Sequence, residues 1–149
     1  MTASPLSNEA AVTRVVDFFE TLTPTALATL PALYAAHARF KDPFNAVSGL
    51  PAITRIFAHM FEALENPRFV VRERIVQGSQ CFLTWEFRFR FRRFKQTEEQ
   101  VILGGSHLVF DDTGLVTLHR DYWDAAEELY EKLPVVGGVM RWLKKRANS

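Results

Sequence analysis

The chain has 149 residues, 48% of them hydrophobic and 23% charged, with 18 Lys and Arg against 17 Asp and Glu. That is the composition of one soluble globular domain over residues 1–149, large enough to bury a core without disulfides or metals. A single cysteine, Cys81, excludes an intrachain disulfide and a Cys-rich zinc site, the four histidines do not fall at zinc-ligand spacing, and a net charge of +1 provides no global pull toward nucleic acid or anionic lipid.

Residues 1–5 read as flexible, with no basic cluster leading an apolar run in Met1 to Ala10, and nowhere do eighteen apolar residues succeed one another. A cytoplasmic protein is expected. Ser4 and Pro5 open a first amphipathic helix whose apolar positions are Val12, Val15, Val16, Phe19 and Leu22. Thr23 and Pro24 restart the signal, and Leu27, Leu30, Leu33 and Tyr34 predict a second helix that Pro31 kinks or divides. A short strand from Ala38 to Pro43 follows. Gly49 and Pro51 then begin a third helix with Ile53, Ile56, Phe57, Met60, Phe61 and Leu64 on one stripe, ending at Pro67.

From Arg68 the period changes from helical to two. Phe69 to Gln77, Cys81 to Phe94, Glu99 to Phe110 and Leu115 to Trp123 predict four strands joined by short turns, hence an antiparallel meander. Asp124 and Glu127 have capping-box spacing for a last helix carrying Leu129, Tyr130 and Leu133. A basic tail helix over 134–149 contains Met140, Trp142 and Leu143. Helices first and a long sheet afterwards predict an α+β fold, in which a curved antiparallel sheet wraps the N-terminal helices as a half-open cone around a pocket.

Alternation along the last strand puts His119, Asp121 and Trp123 on one face and Leu118, Arg120 and Tyr122 on the other. An imidazole beside a carboxylate can do acid-base work, or can be a structural strand end whose carboxylate accepts backbone hydrogen bonds. Asp42, extended by the following Pro43, sits at a strand-to-loop corner, either as a base at a cavity mouth or as an Asx turn opening the loop Phe44 to Ser48. Trp85 to Phe94 alternates aromatics with charges. A nucleic-acid platform needs both on one face, whereas here Trp85, Phe87, Phe89 and Phe91 point one way and Glu86, Arg88, Arg90 and Arg92 the other, so no nucleic-acid partner is expected. The tail from Met140 to Arg146 is too short to favour a membrane surface over capping the cone or a dimer contact. Gly104 and Gly105 inside a strand predict a bulge or a close backbone approach. No phosphate loop, nucleophile elbow or metal-ligating helix motif is present, and no cofactor or metal is expected.

Ala38-Arg39-Phe40-Lys41-Asp42-Pro43, Gly49 before the third helix, Ser106-His107-Leu108-Val109-Phe110 and His119-Arg120-Asp121-Tyr122-Trp123-Asp124 give the chain its likeness to a known group. It resembles the nuclear-transport-factor-2-like superfamily, which includes ketosteroid isomerase, limonene epoxide hydrolase and SnoaL-type polyketide cyclases. The resemblance implies an apolar pocket inside the cone and a homodimer. The isomerase pattern implies Asp42 as general base, but its oxyanion donors, a first-helix Tyr and a strand Asp, correspond here to Phe19 and Ser106. A phenyl ring donates no hydrogen bond. The epoxide hydrolase pattern implies a network role for Asp121, while its Arg and Asp on the middle strand are met by Glu86 and Arg88 in reversed order.

Two functional readings follow. In the first, Asp121 or Asp42 is the base of an isomerase, cyclase or hydrolase acting on a small hydrophobic molecule. His119 is its partner, and Phe19, Phe40, Phe57, Phe61, Trp85, Ser106, Leu108 and Trp123 form the pocket. In the second, the same fold is a non-catalytic ligand carrier or a dimeric assembly module, because a fold does not dictate an activity.

Overall fold

The computed structural model describes residues 5–92 and 97–128, together with Trp142 and Lys145. Helix α1 (Pro5–Glu20) is followed by a 3₁₀ helix (Pro24–Ala32), strands β1 (Tyr34–Lys41) and β2 (Ala46–Ser48), helix α2 (Leu50–Ala63), strands β3 (Leu64–Gln77), β4 (Gln80–Phe91), β5 (Gln100–Phe110) and β6 (Val116–Tyr122), and the short helix α3 (Ala125–Glu128). The strands form one six-stranded sheet in the order β2-β1-β6-β5-β4-β3. The predicted meander is β3 to β6, and every pair in it is antiparallel. The departure is β1, which lies parallel to β6.

Helix α1 packs its Val12, Val15, Val16 and Phe19 side into the concave face of the sheet, where they join Leu83, Leu108, Phe110 and Val116 in one core. Polar ties fix its position. The buried Asn8 donates from Nδ2 to the carbonyl of Gly78 in the β3–β4 turn (2.7 Å), and Glu20 accepts from the N–H of Val71 (3.0 Å). Cys81 lies in the core, and burial pushes its thiol up to about 11.

Several boundaries differ from the sequence reading, each for a physical reason. The second helix is 3₁₀, not α. Thr23 caps it by accepting from Ala26 N–H (3.2 Å), and Pro31, with no N–H to give, lies inside it. Strand β1 begins at Tyr34, not Ala38, although its three alanines favour helix. Pairing with β6 overrides that preference, and a register shift between Tyr34 and Arg39 breaks the alternation that would have revealed the strand. Pro67 does not end α2. The helix stops at Ala63, and Pro67 occupies an irregularity of β3 between Glu65 and Arg68, beside Asn66 at φ 52°. The loop after Asp42 contains strand β2, which the sequence reading missed. At the C-terminal end Asp124 caps α3 by accepting from Glu127 N–H (3.1 Å), as its spacing predicts. The expected contributions of Leu129, Tyr130 and Leu133, the tail helix over 134–149 and the flexible first residues lie largely outside the described residues.

Strand β4 alternates as its sequence requires. Trp85, Phe89 and Phe91 are buried, while on the outer face Arg88 pairs with Glu86 (2.9 Å) and Glu99 (2.9 Å), and Arg72 pairs with Glu86. The Arg88 hydrogen bond holds the Glu99 carboxyl below its usual range. Gly104 and Gly105 meet the expected close approach. A Cβ at Gly104 would stand 2.5 Å from the Trp85 indole, and one at Gly105 would stand 2.5 Å from the Phe82 ring.

Candidate functional site

The inward residues of β5 and β6 face one another in register, Ser106 opposite Asp121 and Leu108 opposite His119, and Leu83 of β4 lies opposite Ser106. Hydrogen bonds then run through five side chains. Trp85 Nε1–H donates to Ser106 Oγ (2.9 Å), and the Ser106 hydroxyl donates to Asp121 Oδ1 (2.5 Å). His119 Nε2 bonds the same Oδ1 (2.7 Å), and the Tyr34 hydroxyl bonds His119 Nδ1 (2.6 Å).

The donor inventory assigns the direction of every link. An indole N–H can only donate, so Ser106 accepts there and must give its own proton to the carboxylate. An ionised Asp121 accepts from His119, which places the imidazole proton on Nε2 and leaves Nδ1 to accept from Tyr34. Every donor of these five side chains is thereby satisfied. Both flanks converge on one oxygen. Asp121 Oδ2 has no hydrogen-bond partner among the described residues, and the side chain keeps 15% of its surface exposed against 4% for His119.

Rings enclose the imidazole. Phe40 lies 4.8 Å and Phe19 5.7 Å from it between centroids, and Tyr34 stacks on it at 6.0 Å and 11°. Burial first, then the negative charge of Asp121, hold the Tyr34 phenol well above its usual range near 10. Below that value the phenol is protonated in folded and unfolded chains alike and adds no slope. Above it the unfolded phenol ionises first, the folded chain binds more protons, and stability falls as pH rises. Tyr34→Phe should therefore flatten the loss of stability above pH 10 measured by denaturant titration. An unchanged alkaline slope would contradict this placement.

Two cavities meet at Asp121. A small one of about 20 Å³, room for a single water, is lined by Ser106, His119 and Asp121 on its polar side and by Phe19, Phe57, Leu83, Trp85 and Leu108 on its apolar side. The larger, about 350 Å³, opens between α2 and the inner sheet face and is walled by Phe40, Phe57, Phe69, Trp85, Phe87, Phe89, Phe91, Ile102, Met60 and Trp123. That volume suits a small organic molecule. Its charged residues are Asp121 at the inner end and Asp42, with His59 on α2, and neither Lys nor Arg lines it.

The structure brings Asp121, His119, Ser106 and Trp85 together and holds Asp42 apart at the rim. There Asp42 Oδ1 accepts from the backbone N–H of Phe44 (2.8 Å) and of Asn45 (2.6 Å), and the Asn45 amide bonds both carboxylate oxygens (3.1 and 3.2 Å). This is an Asx turn beside the cavity. Phe19, Phe40, Phe57, Leu108 and Trp123 all line one cavity or the other, but Phe61 lines neither. At about 100° per residue it stands roughly a third of a turn from the Ile56, Met60 and Ala63 side of α2 that faces the larger cavity. Tyr34 is not among the residues the sequence points to, because its spacing from Leu27, Leu30 and Leu33 reads as helical. Phe87 and Phe89 were legible, since they share a face with Trp85. Among the described residues no group of three His, Cys, Asp or Glu side chains could hold a metal ion, and no helix is long and apolar enough to cross a membrane.

A sheet curved over helices, closing an aromatic cavity with a networked carboxylate at its inner end, defines the class of small cone-shaped α+β pocket domains. The model of the SnoaL-like domain matches residues 15–119, and the chain belongs to that family. Solved structures agree on the fold. A putative SnoaL-like polyketide cyclase from Jannaschia sp. CCS1 superposes with a TM-score of 0.70 at 17% identity, covering 85% of this chain and 93% of that one. An epoxide hydrolase of M. tuberculosis, described as LEH-like, gives 0.66 at 14% identity, covering 83% and 86%. A hypothetical protein of ketosteroid isomerase-like fold from Catenulispora acidiphila DSM 44928, solved in complex with trimethylamine, gives 0.67 at 17% identity, covering 80% and 88%. No curated protein matches the sequence.

Proposed function

We propose that the protein binds a small, neutral, largely apolar molecule in the aromatic cavity and moves a proton to or from it with Asp121. The observation that carries this reading is the asymmetry of that carboxylate. Oδ1 accepts from Ser106 and His119, while Oδ2 has no partner among the described residues and is left for a ligand in a cavity lined mainly by apolar side chains. His119 is a positioning residue: its Nε2–H orients the carboxylate, and Tyr34 fixes the tautomer. Asp42, with both oxygens engaged by Asn45, serves the rim.

The cavity also limits the chemistry. The Trp85 N–H and Ser106 O–H are spent on supporting Asp121, and Phe19 offers no donor, so an oxyanion forming deep in the site would find little stabilisation from them. The substrate must then spread developing charge over its own conjugated system, as a polyketide-like or extended enone carbon acid does. This supports isomerase or cyclase chemistry on the family's fold, in a dimer as the superfamily resemblance implies. The same lack of a free donor favours, as a second reading, a carrier that binds without turnover.

Fluorescence titration with neutral conjugated ketones should quench Trp85 or Trp123. Met60→Trp, filling the larger cavity, should abolish the quenching without unfolding the chain. Binding that survives the filled cavity, or a preference for anionic over neutral ligands, would overturn the proposal.

A further inference from the structure

On the outer face of the sheet, Arg39 and Lys41 stand two apart on β1 and point the same way, and Arg120 of β6 is the register partner of Lys41. His107 lies opposite Arg120 on β5, and Ser48 opposite Arg39 on β2. Like charges opposed on neighbouring strands repel. Elsewhere on this face Arg68, Arg72 and Arg88 each pair with Glu86 or Glu99. Among the described residues no carboxylate lies within salt-bridge distance of Arg39, Lys41 or Arg120. These three exposed cations rim a pit of about 450 Å³ that has no acidic lining residue, and Val47, Leu118 and Tyr122 supply its apolar part. The Arg120 guanidinium is held 4.7 Å over the Tyr122 ring, which limits the rotamers it must give up to a ligand.

We propose that this pit is a second binding site, separated from the aromatic cavity by the sheet itself, which takes the phosphate group of an organic phosphate monoester and packs its apolar body against Leu118 and Tyr122. Three cations around one pit match the charge of a phosphate dianion, and guanidinium groups bond phosphate oxygens through parallel N–H donors. The apolar wall separates a phosphate ester from free phosphate. Both bring the same anion, but only the ester covers Val47, Leu118 and Tyr122.

The test is calorimetric titration of the full chain with phenyl phosphate and with inorganic phosphate at fixed ionic strength, alongside amide chemical shifts. Phenyl phosphate should bind more tightly than inorganic phosphate, and both should shift the amides of Arg39, Lys41 and Arg120. Lys41→Ala and Arg120→Ala, exposed and outside the core, should each weaken binding about tenfold, the loss of one charge-assisted contact. Shifts no larger than sodium chloride produces at the same ionic strength would overturn the proposal, as would binding indifferent to Arg120→Ala. A change in sedimentation without any phosphate binding would also overturn it and identify the face as a contact between copies of the chain.

Discussion

Asp121→Asn is expected to leave the protein folded and able to bind a cavity ligand while slowing proton transfer by about 10²- to 10⁴-fold, the range that a positioned general base contributes. The carboxamide oxygen can still accept from Ser106 and His119 where Oδ1 now does, so the network survives. The amide nitrogen then replaces Oδ2 at the cavity, turning an acceptor that can take a proton into a donor that cannot. Asp121→Ala is a harsher change. It strands the Ser106 hydroxyl and the His119 N–H in a buried site, each at a cost of about 1–3 kcal/mol. Asp42→Asn retains the acceptor oxygen of the Asx turn and should keep the rate. Turnover with ligand affinity measured in parallel separates these cases, and a full rate in Asp121→Asn would remove Asp121 from the role of base.

The second large effect is on stability. Gly104→Val should destabilise the chain by about 1–3 kcal/mol or more, the range for forcing extra bulk into a packed core. Its Cβ would fall 2.5 Å from one indole carbon of Trp85, 2.8 Å from another and 3.0 Å from the Cβ of Trp123. An exposed ring could swing aside. Trp85 is 6% exposed, packs edge-on to Phe69 at 5.2 Å and is tied through Nε1 to Ser106, so moving it breaks a hydrogen bond that supports Asp121. Denaturant unfolding followed by tryptophan emission should show both a lower midpoint and a more solvent-exposed spectrum. An unchanged midpoint would mean that the indole has room to move.

The aspects of the fold that were legible are those that rest on period and turn chemistry. The stripe of Val12, Val15, Val16 and Phe19 and the alternation from Trp85 to Phe91 report which side is buried, and both agree with the structure. What escaped was set by contacts distant in sequence. Tyr34 begins a strand only because β6 lies beside it, and Pro67 sits in a strand because an irregular pairing tolerates its missing N–H. The site divides in the same way. His119 and Asp121 were neighbours by alternation alone, whereas the joining of Tyr34 to His119 spans 85 residues and that of Trp85 to Ser106 spans 21. No local pattern encodes such pairs. The two aspartates, equivalent as candidates in the sequence, differ once their acceptor oxygens are followed: Asn45 occupies both oxygens of Asp42, and Asp121 keeps one open.

Deuterium wash-in tests the central claim most directly, because it detects proton abstraction even where the full reaction is unknown. A panel of neutral conjugated ketones that quench the cavity tryptophans would be incubated with the wild-type chain in D₂O, and carbon-bound deuterium followed by proton NMR. The account predicts that at least one bound ketone exchanges at the position acidified by its carbonyl, faster than in buffer, and that Asp121→Asn abolishes the acceleration. Exchange that persists in Asp121→Asn, or tight binding with no exchange in any member, would contradict it, and the latter would favour the carrier.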